Sequence, residues 1–134
     1  SGRKDNLIVT SNGRNVTPEW VETMLLADPR IARCVVLPAP DGQLALLIEP
    51  SPLASLWFAK ANETRLAELI DTLTDAAPDY ARPRRVALLP PDGFSAAGLL
   101  TANGRPRRRE AAGRYAEFFA NPESRTTELQ HAVF

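Results

Sequence analysis

The chain has one cysteine and one histidine among its 134 residues. A single thiol, Cys34, excludes an internal disulfide framework, and no partner stands at metal-ligand spacing from it. A single imidazole, His131, leaves Ser-His, Cys-His and His-metal chemistries little material. No metal site is expected, and the place of His131 near the C-terminus reads as surface. Lysine is also scarce, with Lys4 and Lys60 alone. No apolar run is long enough to span a bilayer, and no signal peptide is visible. The expected location is therefore cytoplasmic, with no transmembrane segment. Neither sign of charge is in excess, since 16 Lys and Arg balance 16 Asp and Glu. That balance gives no global pull toward nucleic acid or membranes.

The length suits one domain with at most a small appendage, large enough to bury a core without staples. Cys34 lies in the apolar run Ile31–Leu37 and reads as a buried small hydrophobe. The opening stretch is the densest in signals. Leu7-Ile8-Val9-Thr10 is a β-branched run suited to a strand. Ser11-Asn12-Gly13 supplies turn chemistry, and Asn15-Val16 returns as a second strand. Thr17-Pro18-Glu19-Trp20 reads as a helix start, with Thr17 as cap and Pro18 at the first position. Trp20, Val21, Met24 and Leu25 are expected on its inward face.

Further along, 31–37 and 43–49 read as strands paired as a hairpin around Pro38–Gly42. Leu53–Lys60 reads as a short helix with Trp57 and Phe58 packed down. Asn62 caps a helix that turns Leu66, Leu69, Ile70 and Leu73 inward. Residues 86–89 form a third strand, 93–104 a loop of small residues, and 110–119 a closing helix anchored by Tyr115, Phe118 and Phe119. The expected fold is α+β: a small mixed sheet of about three strands packed with helices, preceded by a β-hairpin. Residues 1–5 read as a linker remnant, 6–120 as the domain and 121–134 as a polar tail.

Two segments carry a family resemblance. Gly2-Arg3-Lys4-Asp5-Asn6-Leu7-Ile8-Val9-Thr10-Ser11-Asn12-Gly13-Arg14-Asn15-Val16-Thr17-Pro18-Glu19-Trp20-Val21-Glu22 resembles the hinge and following hairpin of adenylate-forming enzymes, most of all long-chain acyl-CoA synthetases. Gly98-Leu99-Leu100-Thr101-Ala102-Asn103-Gly104-Arg105-Pro106-Arg107-Arg108-Arg109 resembles that family's final motif, in which a lysine follows a Thr-containing loop. The two cover both ends of the family's C-terminal lid domain. The resemblance implies that a large N-terminal catalytic domain holds ATP with Mg and a small-molecule carboxylic acid. The lid then rotates so that a thiol, coenzyme A or phosphopantetheine, attacks the acyl-adenylate.

The same resemblance places roles on residues. Asp5 matches the hinge, where a few positions absorb the rotation. Gly13 matches a glycine that lets the thiol arm pass close to backbone. Arg105 occupies the position of the family's catalytic lysine, whose cation offsets charge developing during adenylation. Arginine keeps the charge but replaces a compact ammonium with a planar fork. Arg107 and Arg108 are possible phosphate contacts. Two other readings stand beside this one. A degenerate lid would serve regulation or partner binding. A basic module built on Arg105–Arg109, with Arg82, Arg84, Arg85 and Arg114, would touch nucleic acid, although no aromatic residues interleave the run and no nucleic-acid partner is expected of a neutral domain.

Overall fold

The computed structural model describes residues 7–121 and 130–133. Its elements run β1 (Ile8–Val9), β2 (Asn15–Val16), α1 (Pro18–Leu26), β3 (Ile31–Pro38), β4 (Leu44–Pro50), α2 (Ser55–Lys60), α3 (Glu63–Leu73), β5 (Arg85–Leu88), α4 (Gly93–Ala96), α5 (Arg108–Ala120) and β6 (Gln130–Val133). The opening hairpin pairs Ile8 with Val16 and Val9 with Asn15. The main sheet has the order β3-β4-β5-β6. β4 is antiparallel to β3 and parallel to β5, and β6 is antiparallel to β5. The parallel step needs a long crossover, which α2 and α3 supply.

The fold is α+β, as the alternation of strand and helix patterns implied, with β3, β4 and β5 in the expected places. Residues 130–133, read as part of a polar tail, add a fourth strand on the far side of β5. Residues 93–104, read as loop, contain the short helix α4.

The strand period of two sorts the core into two layers. Cys34, Val36, Leu44, Leu46, Ile48, Val86 and Leu88 face one cluster. Val35, Leu37, Ala45, Leu47 and Ala87 face the other. On the first face lie Ile8 and Val16 of the hairpin, Val21 and Leu25 of α1, Phe58 of α2, and Leu66, Leu69 and Ile70 of α3. On the second lie Phe94 of α4, Leu99, and Ala111, Tyr115, Phe118 and Phe119 of α5. β4 is buried along its whole length, as a strand covered on both sides must be. Burying a side chain such as Phe58 or Phe119 contributes about 2–3 kcal/mol each.

Local signals explain most element boundaries. Asn62 caps α3, its Oδ1 accepting the Arg65 N–H at 2.9 Å. Thr17 occupies the cap position of α1, but no side-chain bond closes the cap; Pro18 at the first helical position does the work of starting the helix. The inward face of α1 differs from the expectation. Pro18, Val21, Glu22 and Leu25 are buried, whereas Trp20 is 48% exposed. Those four follow the i, i+3, i+4, i+7 stripe, and Trp20 stands one residue, about 100°, off it.

Candidate functional site: two loops on opposite faces

The first loop is the β1–β2 turn. Thr10 N–H donates to the Arg14 carbonyl at 2.8 Å and Gly13 N–H to the Thr10 carbonyl at 2.9 Å. The Thr10 hydroxyl also accepts the Arg14 N–H at 3.2 Å. Gly13 sits at φ +79°, in the left-handed region. A Cβ built there would meet nothing within 4 Å. The glycine is therefore required by backbone conformation, and the space above it is open.

This turn leans on the β3–β4 turn. Ser11 N–H donates to the Gly42 carbonyl at 2.9 Å. Gly42 has φ +81°, and a Cβ there would lie 2.4 Å from Ser11 Cβ. Gly42 is the contact point on which the hairpin rests, a role that its reading as a plain turn residue missed. Between the two turns and the start of β5 lies a cleft of about 350 Å³, lined by Ser11, Asn12, Gly42, Tyr80, Arg82 and Arg84. The Arg14 guanidinium stacks over Tyr80 at 5.4 Å. Arg82 is tied to the Ala77 and Asp75 carbonyls, each at 3.1 Å. Arg84 donates to Asp79. Tyr80 and Arg82 thus stand beside the hairpin, although no motif pointed to them.

The second loop precedes α5. Leu100 and Pro106 form an antiparallel bridge. Thr101 N–H donates to the Arg105 carbonyl at 2.8 Å, and Arg107 N–H to the Leu99 carbonyl at 2.7 Å. The Thr101 hydroxyl accepts the Arg105 N–H at 3.2 Å. Gly104, at φ +76°, closes the turn. The result is a small closed hairpin with Arg105 exposed on its outgoing leg.

The residues after Arg105 separate in role. Arg107 is exposed and pairs with Glu110 at 3.2 Å. Arg108 turns inward. Its Nη2 donates to Glu22 Oε1 at 2.9 Å, its Nη1 bonds Glu22 Oε2, and Nη1 also donates to the Val36 carbonyl at 2.9 Å. Glu22 Oε2 accepts the Val36 N–H at 2.7 Å. Val36 lies on β3, the edge strand, so its outward backbone groups would otherwise be exposed. Glu22 and Arg108 therefore satisfy the edge of β3 at Val36 and join α1 on one face to α5 on the other. Burial works against the Arg108 charge, but the bond to Glu22 and the nearby Glu19 hold its pKa above the ordinary arginine value. The basic run 105–109 is consequently not one continuous charged face.

Two further buried groups serve the fold. Cys34 is buried, and burial pushes its thiol pKa far up, so it is not a nucleophile. Glu49, 1% exposed, accepts the Phe94 N–H at 2.9 Å and pairs with Arg33 at 2.6 Å, fixing α4 against β4. Among the described residues no cluster of His, Cys, Asp or Glu could hold a metal, and no helix is long and apolar enough to cross a membrane. The hinge candidate Asp5 lies outside the described residues.

The structure is thus a small α+β domain with a glycine hairpin packed on one core layer and the Arg105 loop on the other. The family model for the AMP-binding enzyme C-terminal domain matches residues 5–121, and the chain belongs to that family. It is 29% identical to a long-chain-fatty-acid–CoA ligase, FadD15, of Mycobacterium tuberculosis, the match covering 87% of this chain and 22% of that protein. Among solved structures, the adenylation domain of a carboxylic acid reductase from Segniliparus rugosus, in complex with AMP and a co-purified carboxylic acid, superposes with a TM-score of 0.74 at 20% identity, over 87% of this chain and 19% of that one. The anthranilate CoA ligase AuaEII, in complex with anthranoyl-AMP, gives 0.66 at 24% identity, over 90% of this chain and 22% of that one. The likeness of these structures lies in the fold.

Proposed function

We propose that this chain is the lid of an ATP-dependent acid–thiol ligase that makes acyl-CoA, with a fatty acid as the acyl group. In the first step a carboxylate oxygen attacks the α-phosphorus of ATP and pyrophosphate leaves. In the second the thiol sulfur attacks the acyl carbon and AMP leaves. ATP with Mg, the acid and most of the thiol are held by the catalytic body that accompanies a lid, not by this domain.

The observation that carries the reading is the placement of the two loops on opposite faces of one sheet. The hairpin packs through Ile8 and Val16 on one core layer and the Arg105 loop through Leu99 on the other, which suits a lid that presents one loop in each step and turns between them. In the first pose Arg105 offsets the negative charge gathering between carboxylate and α-phosphate. In the second the open backbone at Gly13 borders the thiol arm, with the Tyr80–Arg82–Arg84 cleft beside it. Asp5 is the proposed pivot. Arg107, still half exposed, is the better placed phosphate contact of the pair proposed from the motif. The long-chain reading rests on the FadD15 likeness.

A second reading starts from the motif resemblance, which puts Arg105 at the family's lysine position. In that reading the lid has lost adenylation and serves regulation or partner binding. Pyrophosphate exchange by the full-length protein, with and without Arg105→Lys, decides between them. Exchange that rises strongly in Arg105→Lys marks a working but detuned site. If neither form exchanges with any fatty or aryl acid, the ligase reading fails.

A further inference from the structure

We infer that Arg108 is a positioning residue for Arg105, acting through Glu22 and the Val36 carbonyl. The inference rests on the reading of Arg105 as the adenylation cation. Only Pro106 and Arg107 separate the two arginines. Pro106 has a fixed φ and bridges to Leu100, and Arg107 N–H is bonded to the Leu99 carbonyl, so the link is short and stiff. Arg108 is the fixed end of that link. Its guanidinium is held at three acceptors: both oxygens of Glu22 and the Val36 carbonyl. With its side chain 19% exposed and its charge engaged inside the domain, it is ill placed to meet a phosphate. The tip of the Arg105 loop is exposed, and its incoming leg is held by Leu99, buried on the second face with its N–H on the Phe94 carbonyl at 2.8 Å; Arg108 is the anchor of the outgoing leg, which carries Arg105.

The shape of the anchor matters as much as its charge. A guanidinium grips a carboxylate with two parallel bonds and still reaches a carbonyl; an ammonium cannot match that fork. Arg108→Lys therefore keeps the charge and loosens the loop. Glu22 belongs to α1, which directly follows the Gly13 hairpin, so the same clasp references the Arg105 loop to the part of the lid that serves the second step.

Two measurements test this. Amide hydrogen exchange on this chain should show the Thr101, Gly104 and Arg107 amides exchanging about tenfold faster in Arg108→Lys, with β4 amides unchanged. In the full-length protein the same substitution should lower kcat for pyrophosphate exchange by up to a factor of about a hundred, because small misplacements cost that much, while the KM for ATP stays within about threefold. Thioester formation from supplied acyl-adenylate and coenzyme A should be retained. Unchanged loop amides would overturn the inference, and so would a raised KM for ATP or thiol with kcat intact, which would make Arg108 a direct phosphate contact. Amides of loop and β4 rising together would reduce Arg108 to a general structural residue. Absence of exchange in the unsubstituted full-length protein would sink the ligase reading instead, and the amide measurement would still decide whether Arg108 holds the loop.

Discussion

The Gly13 hairpin and the Arg105 loop are both short turns closed by a glycine at positive φ, yet they are held in different ways. The hairpin is tied by backbone bonds and by contact with Gly42, and its tip has open space above it. The Arg105 loop is tied at its base to an ion pair that spans the sheet edge. A loop that must let a chain pass needs absent side chains and tolerates modest stiffness. A loop that must deliver a charge to a transition state needs a fixed base. The difference in anchoring therefore matches the difference in proposed task.

The comparison breaks most visibly if the two loops are disabled separately. In the full-length protein, Arg105→Ala should lower pyrophosphate exchange by about 10²–10³. Thioester formation from supplied acyl-adenylate should be preserved. Gly13→Val should do the reverse, because a β-branched residue resists φ near +80° and fills the open space. If either substitution lowers both half-reactions equally, the loops do not divide the labour.

Breaking the clasp should affect the whole domain. Glu22→Ala leaves Arg108 and the Val36 N–H without their acceptor, and breaking a buried pair costs about 3 kcal/mol. Urea denaturation of this chain would read it as a lowered midpoint with an unchanged slope. A loss below about 1 kcal/mol, the value of a surface pair, would show that the edge is closed by something else.

A smaller effect should stay on one side. Gly42→Ala forces a Cβ to within 2.4 Å of Ser11 Cβ at a φ that alanine disfavours. The strain is of order 1–3 kcal/mol. Hydrogen exchange should speed up at the Ser11 amide, whose acceptor is the Gly42 carbonyl, and leave the Thr101 and Arg107 amides unchanged.

Legibility in the sequence followed the range of the interaction. The opening hairpin, the Asn62 cap, the alternating strands and the aromatic anchors of α5 are local patterns, and the structure places them where the pattern implied. What sequence reasoning missed is long-range. Glu22 and Arg108 are 86 residues apart, and Glu49 meets the Phe94 amide across 45. Each looks like an ordinary surface charge in sequence, because nothing local shows that its partner will be delivered by another layer. Gly42 is likewise a turn glycine until Ser11 is brought against it. Gln130–Val133 is four residues long and lacks a clear alternation, so only pairing with β5 makes it a strand. Trp20 is apolar but stands about 100° off the buried stripe of α1, so its character is a poor guide to its side on a short helix. The family was legible by resemblance, whereas the reason that Arg108 differs from Arg107 was not.

The smallest expected effect concerns acid. Arg30, through its side chain and N–H, holds the Asp28 carboxyl below its usual pKa. Burial pushes Asp41 up, but the Gln43 N–H and the Arg85 guanidinium more than offset it. A carboxylate with a lowered folded-state pKa adds stability above its unfolded pKa, about 3.9, and loses that contribution as pH falls through the folded value. Asp41 lies in the β3–β4 turn that carries Gly42, on which the hairpin rests, whereas Asp28 lies in the α1–β3 turn at the other end of β3. Asp28→Asn should lower Tm at pH 7 and reduce the fall in Tm between pH 5 and pH 2 by about 2 °C. Asp41→Asn should do less, since its partner is met in a more exposed pair. A parallel acid profile in Asp28→Asn and the unsubstituted chain would show that this ion pair does not contribute to acid stability.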